Sequence, residues 1–482
     1  MGIESECRNR FERALVPRHS DFDKLSVLMG TILFISPLRD LPLSGTYRHN
    51  PWEGYWLNGD NKMSLTWLAG GIFLITYGLI VSERVNRTVA ALLGGVAMIL
   101  FGVIPQEQAF ASIDWNVIFL LAGMMAIANL LRETGLFQWI AVQAVRLGGG
   151  DPFRILIILS LITAVASALL DNVTIVVLVA PITLFVAASL KVSPMPFLIA
   201  QILASNIGGA ATLIGDPPNI LIGSAAGIDF LTFAVNMTPI IVLILIAFIG
   251  LATVLFKKDL QAGQSESPDV AALETAELIT DHPLLRKALI VMGGVIVGFL
   301  VHGALHLEPA TIALAGATVL MLWTGSDPHH VLRDIEWSTL FFFIGLFITV
   351  EAVVEVGIID TLAQGALSLT GGNVALTSML LIWLSAVASG IVDNIPYTAT
   401  MIPLVESMGQ TMPIEPLWWS LALGADLGGN ATLVGASANI VVANLAERSG
   451  YPISFRTFLA YGVITTLVSL ILASVYVGIR YL

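Results

Sequence analysis

Long apolar runs, separated by short polar clusters, fill the chain from residue 64 to its end. "SLTWLAGGIFLITYGLIVS" (64–82) and "FLAYGVITTLVSLILASVYVGI" (458–479) each have about the 20 residues that a helix needs to cross roughly 30 Å of hydrocarbon. With no water to satisfy the backbone there, such runs are read as helices. Spans are expected at 25–43, 64–82, 88–104, 115–131, 197–225, 233–256, 287–305, 310–324, 338–354, 416–445 and 456–480. Two stretches, 153–190 and 376–408, differ from the rest. Each is split midway by an Asp-Asn pair, in "SALLDNVTIVVLVAP" (167–181) and "SGIVDNIPYTATMIP" (389–403). Each half is too short to be obliged to cross, so each stretch is expected to be a re-entrant hairpin with Asp171-Asn172 or Asp393-Asn394 at its tip. Asp and Asn accept from the orphan N–H groups that open a helix.

The two halves echo each other. "DWNVIFLLAGMMAIANLLRETGL" (114–136) aligns with "EWSTLFFFIGLFITVEAVVEVGI" (336–358) at an offset of 222, and the Asp-Asn pairs share that offset. "SNIGGAATLIGDPPNILI" (205–222) aligns with "ADLGGNATLVGASANIVV" (425–442) at an offset of 220. In this second motif Gly208, Gly209, Gly215, Pro217 and Pro218 interrupt what should be a spanning helix. Non-helical backbone at membrane depth is tolerated only where protein or a water-filled cavity covers it.

Lys and Arg set the orientation. With the N-terminus cytoplasmic, 18 of the 22 fall on the inside, and only Arg39, Arg48, Lys62 and Arg480 fall outside. Five crossings per repeat then turn the second repeat upside down. The expected architecture is an all-α polytopic membrane protein of two inverted-topology repeats, each with a re-entrant hairpin and a broken transmembrane helix. The divisions are 1–62, an N-terminal extension with an extra span; 63–256, repeat 1; 257–286, a cytoplasmic polar linker; and 287–482, repeat 2.

Composition agrees: 56% of the chain is hydrophobic and 12% charged, with mean hydropathy +0.87. The net charge of −12 comes from dispersed acids, and no basic patch suggests nucleic acid. The single cysteine, Cys7, excludes an intrachain disulfide or a thiolate cage. There is no P-loop and no HExxH helix, and the Asp-Asn pairs show no nucleophile–base arrangement. No enzyme activity, cofactor or resident metal is expected. His302 and His306 are too few ligands for a metal, and Trp418-Trp419 read as an interfacial belt.

Two tips and two broken helices are expected to converge near the midplane, where an intramembrane acid is functional by default. The candidate substrate and ion site comprises Asp171, Asn172, Asn206, Gly208, Gly209, Thr212, Asp216, Asn219, Asp393, Asn394, Asp426, Gly428, Gly429, Asn430, Thr432 and Asn439. The second half carries acids where the first has amides: Asp426 for Asn206, and Glu351 for Asn129. Asp426, Asp393 and Glu351 are therefore the candidates for proton coupling. The blander alternatives stay open. Asp171 and Asp393 can simply cap helices, Asp216 can be a cap or turn residue, Glu351 can pair within the bundle, and the glycine pairs can serve close helix packing.

"LLDNVTIVVLVAPIT", "SNIGGAATLIGDPPNILIGS", "GIVDNIPYTATMIPL" and "ALGADLGGNATLVGASANIVVA" resemble the arsenite-permease and sodium–proton-antiporter branch of the ion transporter superfamily, and the P permeases within it. The likeness covers about residues 64–482. It implies inverted repeats, elevator-like alternating access and a homodimer. It places Asn172, Thr174, Asn206, Asn394 and Asp426 at the site. It also implies a secondary transporter in the cell membrane, coupled to protons or membrane potential, with arsenite efflux as the leading activity. Sodium–proton antiport or a small-anion carrier or channel is the alternative. A cytosolic ATPase partner, docking on the linker, belongs to arsenite systems of this kind. With no Lys or Arg expected at mid-membrane, citrate-like substrates are less favoured.

Overall fold

The computed structural model describes residues 59–82, 84–257, 260 and 279–482. The N-terminal extension with its span at 25–43, Cys7 and most of the 257–286 linker lie outside the described residues. Among those described, every regular element is a helix, twenty in all. The first ten are α1 Gly59–Ser82, α2 Arg87–Leu100, α3 Gln106–Ala111, α4 Trp115–Glu133, α5 Leu136–Gly148, α6 Pro152–Ser167, α7 Asn172–Ser189, α8 Met195–Gly209, α9 Pro217–Ala226 and α10 Phe230–Leu255. The second ten repeat them in order: α11 His282–Leu305, α12 Pro309–Thr324, α13 Pro328–Arg333, α14 Trp337–Glu355, α15 Ile358–Thr370, α16 Val374–Ile391, α17 Asn394–Gly409, α18 Glu415–Gly428, α19 Ser437–Arg448 and α20 Phe455–Arg480. Eight of the helices are long and apolar enough to cross a membrane.

Many of the dispersed acids start helices. Asp114, Asp151, Asp171, Asp229, Asp281 and Asp327 each accept from N–H groups of the turn they precede. The capping expected of Asp171 and Asp393 is present: Asp171 Oδ1 accepts from Thr174 N–H at 2.9 Å and Asp393 Oδ1 from Ile395 N–H at 3.1 Å.

Helices of one half pack on those of the other in matched pairs. α2 lies against α14 and α4 against α12; α9 meets α17 and α19 meets α7. The match extends to single residues. A Cβ on Gly123 would sit 2.7 Å from the Ala313 carbonyl carbon, and one on Gly345 would sit 2.5 Å from that of Ala91. Such closeness lets backbones meet without intervening side chains.

Four helices were not among the expected spans: α3, α13, α5 and α15. The latter two are amphipathic. α5 buries Phe137, Ala141 and Val145 and leaves Gln138 and Arg146 outside that face. Each begins after a glycine in the left-handed region, Gly135 (φ 77°) or Gly357 (φ 78°), where other residues are strained. α11 begins at His282, five residues before the expected span at 287–305. Trp418 and Trp419 are not an interfacial belt: both are buried, and Trp419 packs on Phe233 and Tyr481. His302 is a structural tie, accepting from Phe230 N–H through Nε2 at 3.0 Å.

Gly345→Leu is expected to cost about 1–3 kcal/mol by overpacking the α2–α14 seam. A lowered Tm of purified protein would register it. Gly78→Ala, where nothing lies within 4 Å of the added carbon, serves as the neutral control; an equal loss in both would refute the seam's importance.

Candidate functional site

Each hairpin tip is sewn to the broken helix of its own half. α8 ends at Gly209 and α9 begins at Pro217, and the residues between leave backbone groups without helical partners. Asn172 N–H donates to Gly215 O at 3.1 Å, and in the second half Asn394 N–H donates to Gly435 O at 3.2 Å. Thr212 and Thr432 return the contact, their hydroxyls donating to Ala168 O (2.5 Å) and Gly390 O (2.6 Å). Asn219 Nδ2 spans its own break, to Gly209 O and Thr212 O; Asn439 Nδ2 does the same to Gly429 O and Thr432 O. The glycine pairs serve packing and loop closure. A Cβ on Gly208 would meet Ala164 O at 2.1 Å and one on Gly428 would meet Ala386 O at 2.6 Å; Gly209 and Gly429 lie against Gly215 and Gly435.

Between these elements lies a buried cluster of amides and acids. Asp216 holds its centre. It stands at the N-cap position of α9 but caps nothing with its side chain. Its carboxylate instead accepts from Asn172 Nδ2 at 2.7 Å and from Asn394 Nδ2 at 3.2 Å, one asparagine from each hairpin tip. Of the alternatives for Asp216, side-chain capping is thus absent. Asn206 links the halves a second time, donating to Asn430 Oδ1 (3.0 Å) and Asn439 Oδ1 (2.9 Å) and accepting from Asn172 Nδ2 (3.3 Å). Asn206, Asn219, Asp426, Asn430 and Asn439 are fully buried.

The halves then diverge. Asp426 stands on α18, which packs on α9, the helix that carries Asn219 and follows Asp216. Yet both carboxylate oxygens of Asp426, and Oδ1 of Asn219, have no hydrogen-bond partner among the described residues. A buried acceptor left without a donor costs about 1–3 kcal/mol, more if charged. At the tips, Thr174 bonds Asp171 through both its hydroxyl and its N–H. Asp393 is held by Arg87 and by the Ser437 hydroxyl. Arg87 Nη1 is 3.1 Å from Asp393 Oδ2. No pattern along the chain signalled this contact, because Arg87 opens α2 some 300 residues away in sequence. Glu351 is not joined to the cluster. It accepts from Gln108 Nε2 at 3.3 Å, the within-bundle alternative.

Two cavities occupy equivalent places in the two halves. One, of about 720 Å³, is lined by Ile220, Ser224, Glu308 and Pro309 among others. The other, of about 380 Å³, is lined by the counterparts Ile440, Asn444, Asn86 and Arg87, together with Asp393 and Ser437. The narrower one carries the Arg87–Asp393–Ser437 latch.

Residues 77–424, from α1 through α18, match the pattern of the citrate transporter family. The chain belongs to the citrate transporter family. Among proteins similar to this family member are an uncharacterized transporter of Mycobacterium tuberculosis, 47% identical over 418 residues that make up 85% of this chain and 97% of the relative. A 46 kDa membrane protein of Mycobacterium leprae is 44% identical, over 85% of this chain and 98% of its own length. The P protein of Homo sapiens is 32% identical over 84% of this chain and 59% of that protein. In fold, this citrate-transporter-family chain is similar to the YdaH transporter of Alcanivorax borkumensis, whose crystal structure was described as having an unusual topology: TM-score 0.52, 16% identity, 87% of this chain and 97% of the other. It is a multi-pass membrane transporter.

Asp216→Ala would leave one N–H on each of two buried amides without its acceptor, at about 1–3 kcal/mol each. A large fall in Tm is expected, with a smaller one for Asp216→Asn, whose Oδ1 can still accept one bond. Equal effects would argue against the bridging role.

Proposed function

We propose that this chain is a secondary transporter that exchanges a small cation, sodium in the first instance, for protons across the cell membrane. The observation that carries the reading is the convergence of both hairpin tips and both broken helices on Asp216 and Asp426. Four carboxylates, Asp171, Asp216, Asp393 and Asp426, gather there, and Arg87 is their one bonded cation among the described residues. A free citrate trianion would meet repulsion in such a cluster, whereas a hard cation takes several oxygens, a carboxylate among them. The unpartnered acceptors of Asp426 and Asn219 equally call for a cation or a hydrogen donor.

The reciprocal contacts between halves support a two-fold relation. An odd number of crossings per half would make it an inverted one, and tips that bond to the breaks of mid-length helices suit re-entrant hairpins. The reading keeps the chain in the arsenite-permease and sodium–proton-antiporter branch that its Asp-Asn and glycine motifs resemble. Arsenite efflux is the second reading. Arsenite is an uncharged triol near neutral pH, and its hydroxyls would supply donors to the same orphaned acceptors.

The test is transport by purified protein in liposomes carrying a pH-sensitive dye. Sodium added outside an acid-loaded liposome is expected to drive proton release, and Asp216→Ala to abolish it. Labelled arsenite uptake that follows an imposed gradient, with no sodium response, would move the assignment to arsenite. Citrate uptake without either would overturn the cation reading.

A further inference from the structure

The cluster contains a broken symmetry with a chemical remedy. In one half, Asn206 of α8 donates its amide N–H to Asn439 Oδ1 of α19 at 2.9 Å. Moving each residue to its counterpart 220 positions away gives Asp426 of α18 and Asn219 of α9. That pair also bridges the halves, but it lacks a hydrogen. Asn219 cannot supply one by turning its amide. Its Nδ2 is already committed to Gly209 O and Thr212 O at 3.3 and 3.1 Å, as Asn439 Nδ2 is to Gly429 O and Thr432 O. Turning it would set Oδ1 against two carbonyls. Thus Asn219 Oδ1 and both Asp426 oxygens stay without partners among the described residues, all fully buried.

We infer that Asp426 carries a proton in this conformation and donates it to Asn219 Oδ1, so that one bound proton completes the second of two equivalent locks between the halves. The inference rests on reading the cluster as the ion site. Its consequence for coupling is direct. When Asp426 loses the proton, the α9–α18 lock loses its only hydrogen and gains a charge facing a bare acceptor. The matching α8–α19 lock, built from two amides, is indifferent to pH. Proton occupancy therefore acts on one lock alone, which lets release of the proton free one half-to-half contact while the other holds.

Among the described residues, the helices packed on α18 offer no competing counter-ion. α8, α9 and α16, which pack on α18, carry no ionisable side chain within their length. Asp216 precedes α9 and is itself an acid. α17 adds Tyr397, bonded to Ser385, with Glu406 further along and Asp393 at its start, the latter paired with Arg87. α20 adds Tyr461 and Tyr476, with Arg456 and Arg480 at its ends; Arg480 bonds Asn236.

Infrared spectroscopy of the purified full-length protein reads the proton without any transport assay. In sodium-free choline chloride at neutral pH, the wild type is expected to show the C=O stretch of a buried carboxylic acid, shifted in heavy water. Asp426→Asn is expected to lose that band while keeping its Tm, because the amide N–H takes the proton's place and reproduces the Asn206–Asn439 bond. Persistence of the full band in Asp426→Asn overturns the inference. So does a variant that fails to fold, since an amide should fit here. A wild-type spectrum without the band, with Tm raised by sodium chloride but not by choline chloride, would assign the gap to sodium instead. The two readings fail separately: a band lost in Asp426→Asn alongside absent sodium-driven proton release would leave the proton site standing and remove the proposed exchange.

Discussion

The structure turns on one constraint: backbone and carboxylates placed where water is scarce must be satisfied by other parts of the chain. Each broken helix leaves carbonyls without helical partners, and each hairpin tip answers with an asparagine N–H, Asn172 to Gly215 and Asn394 to Gly435. The threonine hydroxyls and the spanning asparagines complete the stitching. Because a break without its tip would be costly, tip and break are obliged to lie together. That obligation puts four polar termini of helices at one place, and the side chains they carry form the site.

Asp216 then fastens the halves to one another. It takes an amide from each hairpin tip, so the second half's tip is satisfied only through the first half's broken helix. Asn206 adds the second cross-tie. The small-residue seams at Gly123 and Gly345 bring backbones of the two halves together elsewhere, α4 against α12 and α14 against α2. A transporter needs such contacts to be few and polar, since each must be exchanged for another when the halves move. The latch of Arg87 on Asp393 and Ser437, present on one cavity and absent from its equivalent, marks an asymmetry of the same kind.

Much of this was legible along the chain. The duplication, the two hairpins, both breaks and the capping aspartates follow from local composition: apolar length, Asp-Asn at a midpoint, Gly and Pro inside a span. The amphipathic α5 and α15 were not legible in this way, because thirteen residues of mixed character do not stand out beside longer apolar spans.

What the sequence by itself determined is thus the long apolar helices, where they break, and that the halves share one plan, because these depend on neighbours within a turn or two. Tertiary structure alone decided partners. It turned Asp216 from a cap into a bridge, drew Arg87 to a tip far away in sequence, took Glu351 to Gln108, buried Trp418 and Trp419, and left Asp426 with no donor. The physical reason is that a polar group deep in an apolar bundle bonds to whichever complementary group packing brings within about 3 Å, and packing is a property of helices distant in sequence.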